Sequence, residues 1–390
     1  WYSMQYKKRN REVYPMNEKE IAELRRRFRP DKSGISRVCG CYVNEQGEIV
    51  SRFDQSLGLM SQEESEKILA ILKRTLSGTL GKNLTDLAFR TEQVVDSDEH
   101  RLLMALRNSK LHDQQAIDTL FQTVISSLTL EGSYLILLAH DTYDVPYRSK
   151  DGARQDDAGD EQYSYIVCSV CPVKLTKPAL SYYVTENAFH NLASDCIVAP
   201  PEVGFLFPAF DDRSTNLYGT LYYTKSAKEN YSDLVQALFH LEVPMAADVQ
   251  KETFQDLLSD TLEEECSYDV VQAVQDRLCS LIEAHKETPE EAPAEVSRDQ
   301  VSQVLADCGI SQTRMAAFEM QYDAAFGADT RLAPANLIDA RQMAVRTPNV
   351  TIRVKPEYSD LVETRIIDGV KYILIRADDG VEVNGINIRF

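Results

Sequence analysis

The run His140-Asp141-Thr142-Tyr143-Asp144 puts an imidazole and two carboxylates within five residues, and an acid-rich stretch follows at Asp151, Asp156, Asp157, Asp160 and Glu161. Imidazole and carboxylate groups ligate Zn²⁺, Mg²⁺ or Mn²⁺. A second polar cluster, Asp211-Asp212-Arg213-Ser214-Thr215-Asn216, comes after the strand-like Phe205-Leu206-Phe207. If the two loops meet, Asp141, Asp144 and Asp211 would hold a divalent metal ion, with His140 beside them and Arg213 on a phosphate. That is the constellation of a metal-dependent hydrolase acting on a phosphate-bearing substrate. The plainer account is that acidic side chains in loops form turns by bonding their own backbone.

Two further groups of residues could carry chemistry. Cys39-Gly40-Cys41 and Cys168-Ser169-Val170-Cys171 together offer four thiolates, a tetrahedral zinc set. Both pairs lie in strand-like sequence, however, and the odd separation of Cys168 from Cys171 sends them to opposite faces of an undistorted strand, so buried structural thiols are the expectation. Gly78-Thr79-Leu80-Gly81-Lys82-Asn83 could bind an anion through its N–H groups and Lys82, although a helix end closed by left-handed glycines explains the same residues. The sequence holds no G-x-x-x-x-G-K-[ST], G-x-G-x-x-G, H-E-x-x-H or G-x-S-x-G, which argues against a P-loop nucleotidase, a Rossmann dehydrogenase, a zincin and an α/β-hydrolase.

Charge narrows the partners. The 390 residues carry 42 Lys+Arg against 61 Asp+Glu, a formal charge of -19. Residues 1–37 run the other way, with eleven basic and five acidic side chains, a local +6 that leaves -25 on the remainder. So negative a body repels nucleic acid and anionic membrane, and an anionic partner, a protein or another molecule, must meet the basic end. There Asn17 and Glu20 form a capping box for a helix over 17–29, with Ile21, Leu24 and Phe28 as its apolar stripe and Arg25 and Arg26 among its cations. The stripe docks either on its own domain or on a partner. Eight cysteines at irregular spacing are no disulfide framework, which points to a reducing compartment, the cytoplasm. The longest apolar run, Leu135–Ala139, is far short of a membrane span.

The elements that must position these groups read as an α+β chain. A hairpin turns at Asn44-Glu45-Gln46-Gly47, a helix opens at Ser61 with Glu64, and helical patterns follow near 98–111 and 113–128. The apolar strand 134–139 is expected to end at His140-Asp141, where an α/β-type sheet often places reactive groups. Strand-like pieces recur at 163–173, 180–185, 203–209 and 217–224, then helices from about 228. The proline-bearing, charged 286–298 is a linker, and helices near 298–307 and 311–326 precede Asp368-Gly369 and Asn384-Gly385, strong hairpin turns. The expected organisation is an extension (1–15), a mixed α/β domain (16–225), a helical segment (226–285), the linker, and a C-terminal helix and antiparallel β-meander domain (299–390).

Several stretches carry a resemblance: Met16–Phe28, Val38–Asn44, Leu76–Asn83, Gly204–Phe210, Ser359–Arg365 and Val383–Asn387. They resemble an uncharacterised bacterial family, a domain of unknown function found in anaerobic Gram-positive bacteria, over roughly 16–390. The resemblance implies a bacterial cytosolic protein and carries no activity, ligand or catalytic residue with it. The residues favour a non-enzymatic cytosolic binding or regulatory protein that meets its partner through helix 17–29 and the meander edges. The alternative is the metal-dependent hydrolase.

Overall fold

Strands with apolar residues on both faces must be covered on both sides, and the first two-thirds of this chain supply helices for each. The computed structural model describes residues 16–148, 154–155, 161–287, 294–378 and 380–388. The extension 1–15, the acidic positions Asp151, Asp156, Asp157 and Asp160, and 288–293 of the linker lie outside the described residues. The chain divides into two units, Trp1–Ala246 and Ala247–Phe390, so the division falls inside the segment 226–285. Both are built of helices and antiparallel strands, an α+β fold.

In the first unit the order is α1 (Glu18–Arg25), β1 (Arg37–Val43), β2 (Ile49–Ser56), α2 (Gln62–Arg74), β3 (Leu84–Ala88), α3 (Thr91–Val95), α4 (Asp98–Asn108), α5 (Gln114–Ser127) and β4 (Tyr134–Val145). Then come the short β5 (Tyr147–Arg148) and β6 (Arg154–Gln155), β7 (Glu161–Leu175), β8 (Ala179–Tyr183), β9 (Ala188–Leu192), β10 (Cys196–Val198), β11 (Val203–Phe207), β12 (Ala209–Asp211), β13 (Ser214–Asn216), β14 (Gly219–Thr224) and α6 (Ser232–Phe239). The main sheet is antiparallel in the order β2-β1-β4-β7-β11-β14-β3, with β10 also on β7. Its centre is the β4–β7 pair, in register from Tyr134↔Pro172 to Val145↔Glu161.

Strand alternation divides the core in two. Ile136, Leu138, Ile166, Cys168, Phe205 and Tyr222 pack with α4, α5 and α6 on one face. Leu137, Ala139, Tyr143, Tyr163, Tyr165 and Val167 pack with α1 and α2 on the other. β4 does not stop at Ala139 as expected: Tyr143 and Val145 continue the inward alternation, so the strand runs on through His140 and Asp141. Helix α1 starts with the expected capping box, Asn17 Oδ1 accepting the Glu20 N–H and the Glu20 carboxylate accepting the Asn17 N–H. It ends at Arg25, short of 29, while Ile21, Leu24 and Phe28 all bury on their own sheet. Ser61 and Glu64 likewise cap α2.

The second unit packs α7 (Ala247–Leu262), α8 (Tyr268–Glu287), α9 (Arg298–Asp307), α10 (Gln312–Phe326) and α11 (Pro334–Leu337) around Phe254, Leu278, Leu305, Phe318 and Tyr322. Among the described residues its strands form three hairpins, each a two-stranded sheet of its own: β15 (Met343–Arg346) with β16 (Thr351–Val354), β17 (Val362–Ile367) with β18 (Val370–Ile375), and β19 (Val381–Val383) with β20 (Ile386–Ile388). The turn residues Asp368, Gly369, Asn384 and Gly385 all take positive φ, as type I′ hairpin turns require. Among the described residues no helix is long and apolar enough to cross a membrane.

Candidate functional site

Neighbouring residues of a strand face opposite ways, and this separates His140 from Asp141. Asp141 points to the α1 face and is 1% exposed. Its Oδ1 accepts the N–H groups of Gly34 (2.9 Å) and Thr142 (2.8 Å); its Oδ2 accepts the Tyr165 hydroxyl (2.9 Å) and Arg27 Nη2 (3.3 Å). Both oxygens are occupied, so Asp141 anchors the 27–34 segment to β4. Gly34 allows this approach, since a Cβ there would stand 2.5 Å from Asp141 Oδ1. His140 instead pairs Nε2 with Ser164 Oγ at 2.8 Å. Burial, with the charges of Lys110, Arg107 and His112, pushes its pKa down to about 4 and keeps it neutral near pH 7.

The other members of the expected metal set are also engaged separately. Asp144 accepts from Gln162 Nε2 at 3.0 Å, and Asp211 Oδ2 from Asn216 Nδ2 at 3.4 Å. Among the described residues no three or more His, Cys, Asp or Glu side chains are grouped to hold a metal ion, so His140, Asp141, Asp144 and Asp211 do not gather as the loop reading required. The thiols behave as the odd spacing demands. Cys39, Cys41 and Cys168 line one core and Cys171 the other, and burial pushes Cys39 to about 11 and Cys41 and Cys171 to about 12. All eight cysteines are free. The Gly78–Asn83 loop is no open anion cradle: the N–H groups of Gly81, Lys82 and Asn83 bond carbonyls of Leu84 and Thr79, leaving Lys82 exposed on a closed turn.

What the fold does assemble is a basic cleft of about 390 Å³, lined by Glu23, Arg26, Arg27, Lys32, Tyr143, Asp144, Pro146 and Arg213. The turns that follow helix α1 supply three of the cations, Arg26, Arg27 and Lys32. The fourth, Arg213, sits in the tight β12–β13 turn, where Asp212 and Arg213 both take positive φ (48° and 55°). That uncommon backbone is held from below, the Arg213 N–H donating to Glu20 Oε1 at 3.3 Å. Arg213 Nη2 donates to Glu23 Oε1 (3.0 Å) and the Pro146 carbonyl (2.9 Å). The Tyr143 hydroxyl donates to the same Glu23 oxygen at 2.7 Å, and the Arg27 guanidinium lies 4.2 Å above the Tyr143 ring. Burial, then Glu23, pushes Tyr143 up to about 12, so it stays a hydrogen-bond donor.

Two of the four cations are thus fixed by carboxylates, Arg27 by Asp141 and Arg213 by Glu23. The other two, Arg26 and Lys32, have exposed side chains that pair with no carboxylate among the described residues. The lining carries four positive charges against two negative in a chain of net -19. Beside Arg213, whose N–H Glu20 accepts, the carboxylates of Glu20, Asp86 and Asp211 act on one another. Asp86 accepts the Met16 N–H, and burial together with its acidic neighbours Asp211 and Glu20 raises it to about 7. Burial also raises Glu20, against the N–H groups of Asn17, Arg213 and Asp212 that favour its charge.

Of the residues singled out from sequence, Arg26, Asp144 and Arg213 meet at this cleft, whereas Arg25, Lys82 and His140 are not among its lining residues. Glu23, Arg27, Lys32 and Tyr143 join them without any spacing signal, because the contacts span more than a hundred residues of chain. No curated protein matches the sequence. A family model does match, over residues 16–386, nearly the whole chain, and the protein belongs to that family, the domain of unknown function DUF4317.

Proposed function

We propose that this is a non-enzymatic binding protein of the cytoplasm whose ligand is a small anion, bearing phosphate or carboxylate, that enters the basic cleft. The observation that carries the reading is the local reversal of charge: Arg26, Arg27, Lys32 and Arg213 converge on one concavity of a strongly acidic chain. A cleft of one sign focuses the field and raises the local concentration of the opposite ion. Arg27 and Arg213 are held by Asp141 and Glu23 and stand pre-oriented, while Arg26 and Lys32 are left to move onto a ligand. The eight free thiols support a reducing compartment. The alternative, a metal-dependent hydrolase using His140, Asp141, Asp144, Asp211 and Arg213, would have to strip Asp141 of its four donors, and no observation favours it.

The test is isothermal titration of the full chain with pyrophosphate and with citrate. Saturable 1:1 binding is expected, weakened about tenfold or more (1.4 kcal/mol per decade) in the double variant Arg26→Gln, Lys32→Gln. Both side chains are exposed, so the melting temperature of the variant should match wild type. The absence of saturable heat with either anion, or equal binding by the variant, would refute the assignment.

A further inference from the structure

The four cations of the cleft fall into two pairs. Arg27 and Arg213 are the inner pair, their side chains 15% and 22% exposed, and each is matched in charge by a carboxylate, Asp141 and Glu23. They meet through Tyr143, whose ring lies under Arg27 and whose hydroxyl shares Glu23 Oε1 with Arg213. Arg26 and Lys32 are the outer pair, both exposed and neither paired with a carboxylate among the described residues. The inner pair is therefore short of acceptors rather than of negative charge. Arg27 Nε and Arg213 Nε and Nη1 are buried, and among the described residues they have no hydrogen-bond partner. A buried N–H without an acceptor is costly. The outer pair is short of charge.

We propose that the ligand of the cleft is a short-chain phosphorylated carboxylic acid, its carboxylate taken by Arg27 and Arg213 and its phosphate by Arg26 and Lys32. This rests on the anion reading of the cleft and sharpens it from either group to both. A carboxylate brings two acceptor oxygens in one plane, the match to a guanidinium fork. With Asp141 and Glu23 already against the inner guanidiniums, a group of single charge is repelled there less than a dianion. A phosphate monoester carries about -1.5 to -2 near neutral pH, which suits two cations that no carboxylate balances. Room points the same way: about 390 Å³ falls within the roughly 300–1,000 Å³ of small-molecule sites and is more than a lone oxyanion fills. Tyr143 and Pro146 add carbon surface to the lining, which fits a short carbon spacer. Asp144, the remaining carboxylate of the lining, is exposed and already accepts from Gln162.

The experiment is isothermal titration of the full chain with 3-phosphoglycerate and with its two halves, glycerol 3-phosphate, which lacks the carboxylate, and glycerate, which lacks the phosphate, the weaker ligands being measured by competition. The two-headed ligand should bind 1:1 and at least tenfold more tightly than either half. The outer variant Arg26→Gln, Lys32→Gln should remove most of that advantage and leave glycerate binding within about twofold. Arg213→Lys, which keeps a cation for Glu23 and loses the Nε and Nη1 donors, should weaken 3-phosphoglycerate and glycerate and spare glycerol 3-phosphate. Circular dichroism and melting temperature check that each variant folds, and the comparison of the three ligands on wild type stands without any variant. Glycerol 3-phosphate binding as tightly as 3-phosphoglycerate, or variants that weaken both halves alike, would overturn the two-headed ligand while the anion reading stands. No saturable heat with any of the three would take both down.

Discussion

Replacing Asp141 by alanine removes the acceptor shared by the Gly34 and Thr142 N–H groups, the Tyr165 hydroxyl and Arg27. Removing one member of a buried charge pair costs about 3–5 kcal/mol, because the partner is left uncompensated. Arg27 keeps some access to water and a stacking contact with Tyr143, while the Tyr165 hydroxyl is fully enclosed. At about 2–4 °C per kcal/mol for a unit of this size, Asp141→Ala should lower the melting temperature by about 6–20 °C. Asp141→Asn keeps the volume and one oxygen for Gly34 and Thr142 but turns an NH₂ toward Arg27. It should lose mainly the charge-assisted bond, about 1.5–3 kcal/mol. Tyr165→Phe, which removes one neutral donor, should cost about 1 kcal/mol. Thermal and urea unfolding followed by far-ultraviolet circular dichroism gives all three values. An Asp141 whose carboxylate was kept for an ion would behave in the opposite way without that ion, since neutralising it would relieve repulsion. An Asp141→Asn variant as stable as wild type, or more so, would therefore refute the anchoring role.

Asp86 makes stability depend on pH. Its folded pKa of about 7 lies above the ordinary value of 3.8, so the native state holds a proton that the unfolded chain has lost. This group's contribution is fully present below about pH 4 and declines as the pH rises through 7; a gap of that width is worth roughly 4 kcal/mol at most. Asp86→Asn should flatten the fall in urea midpoint between pH 5 and 8 and leave the variant more stable than wild type at pH 8; equal destabilisation at both pH values would contradict it. Gly34→Ala places a methyl 2.5 Å from Asp141 Oδ1 and 3.3 Å from the Thr142 carbonyl, an overpacking expected to cost about 1–3 kcal/mol. In an Asp141→Ala background that penalty should shrink, and strict additivity in the double-mutant cycle would count against direct contact.

Local signals were the legible ones. The capping boxes at Asn17/Glu20 and Ser61/Glu64, the Asp368-Gly369 and Asn384-Gly385 turns, and helices α9 and α10 stand where residue type and spacing put them, because each is decided within a few residues. The α1 stripe buries on its own sheet, one of the two outcomes that its amphipathic pattern allowed. At His140-Asp141 apolar residues give way to polar ones, which mimics a strand end, yet β4 runs on to Val145. Tyr143 and Val145 carry the inward alternation on, and a buried aspartate surrounded by donors is compatible with a strand interior. The cleft was the least legible part. Arg27 reaches Asp141 across 114 residues and Arg213 reaches Glu23 across 190, and nothing near either arginine in the sequence names its carboxylate. The sequence suggests a phosphate for Arg213 beside a metal, whereas its geometry ties it first to Glu23 and Pro146.

The strand order of the main sheet also sets a timetable for synthesis. β3 is complete at Ala88, yet its neighbour in the sheet, β14, begins at Gly219. Roughly 130 residues must be translated in between, which at about 5–20 residues per second takes some 7–26 s. Throughout that interval Leu84 and Leu87, buried on opposite faces of the finished sheet, have no strand to pair beside. β1 waits less, about 90 residues for β4, and meanwhile has the hairpin partner β2 already beside it. On the ribosome, β3 is therefore the main-sheet strand with the longest wait for a neighbour, and a nascent chain truncated just before Gly219 should leave it unpaired and open to chaperones.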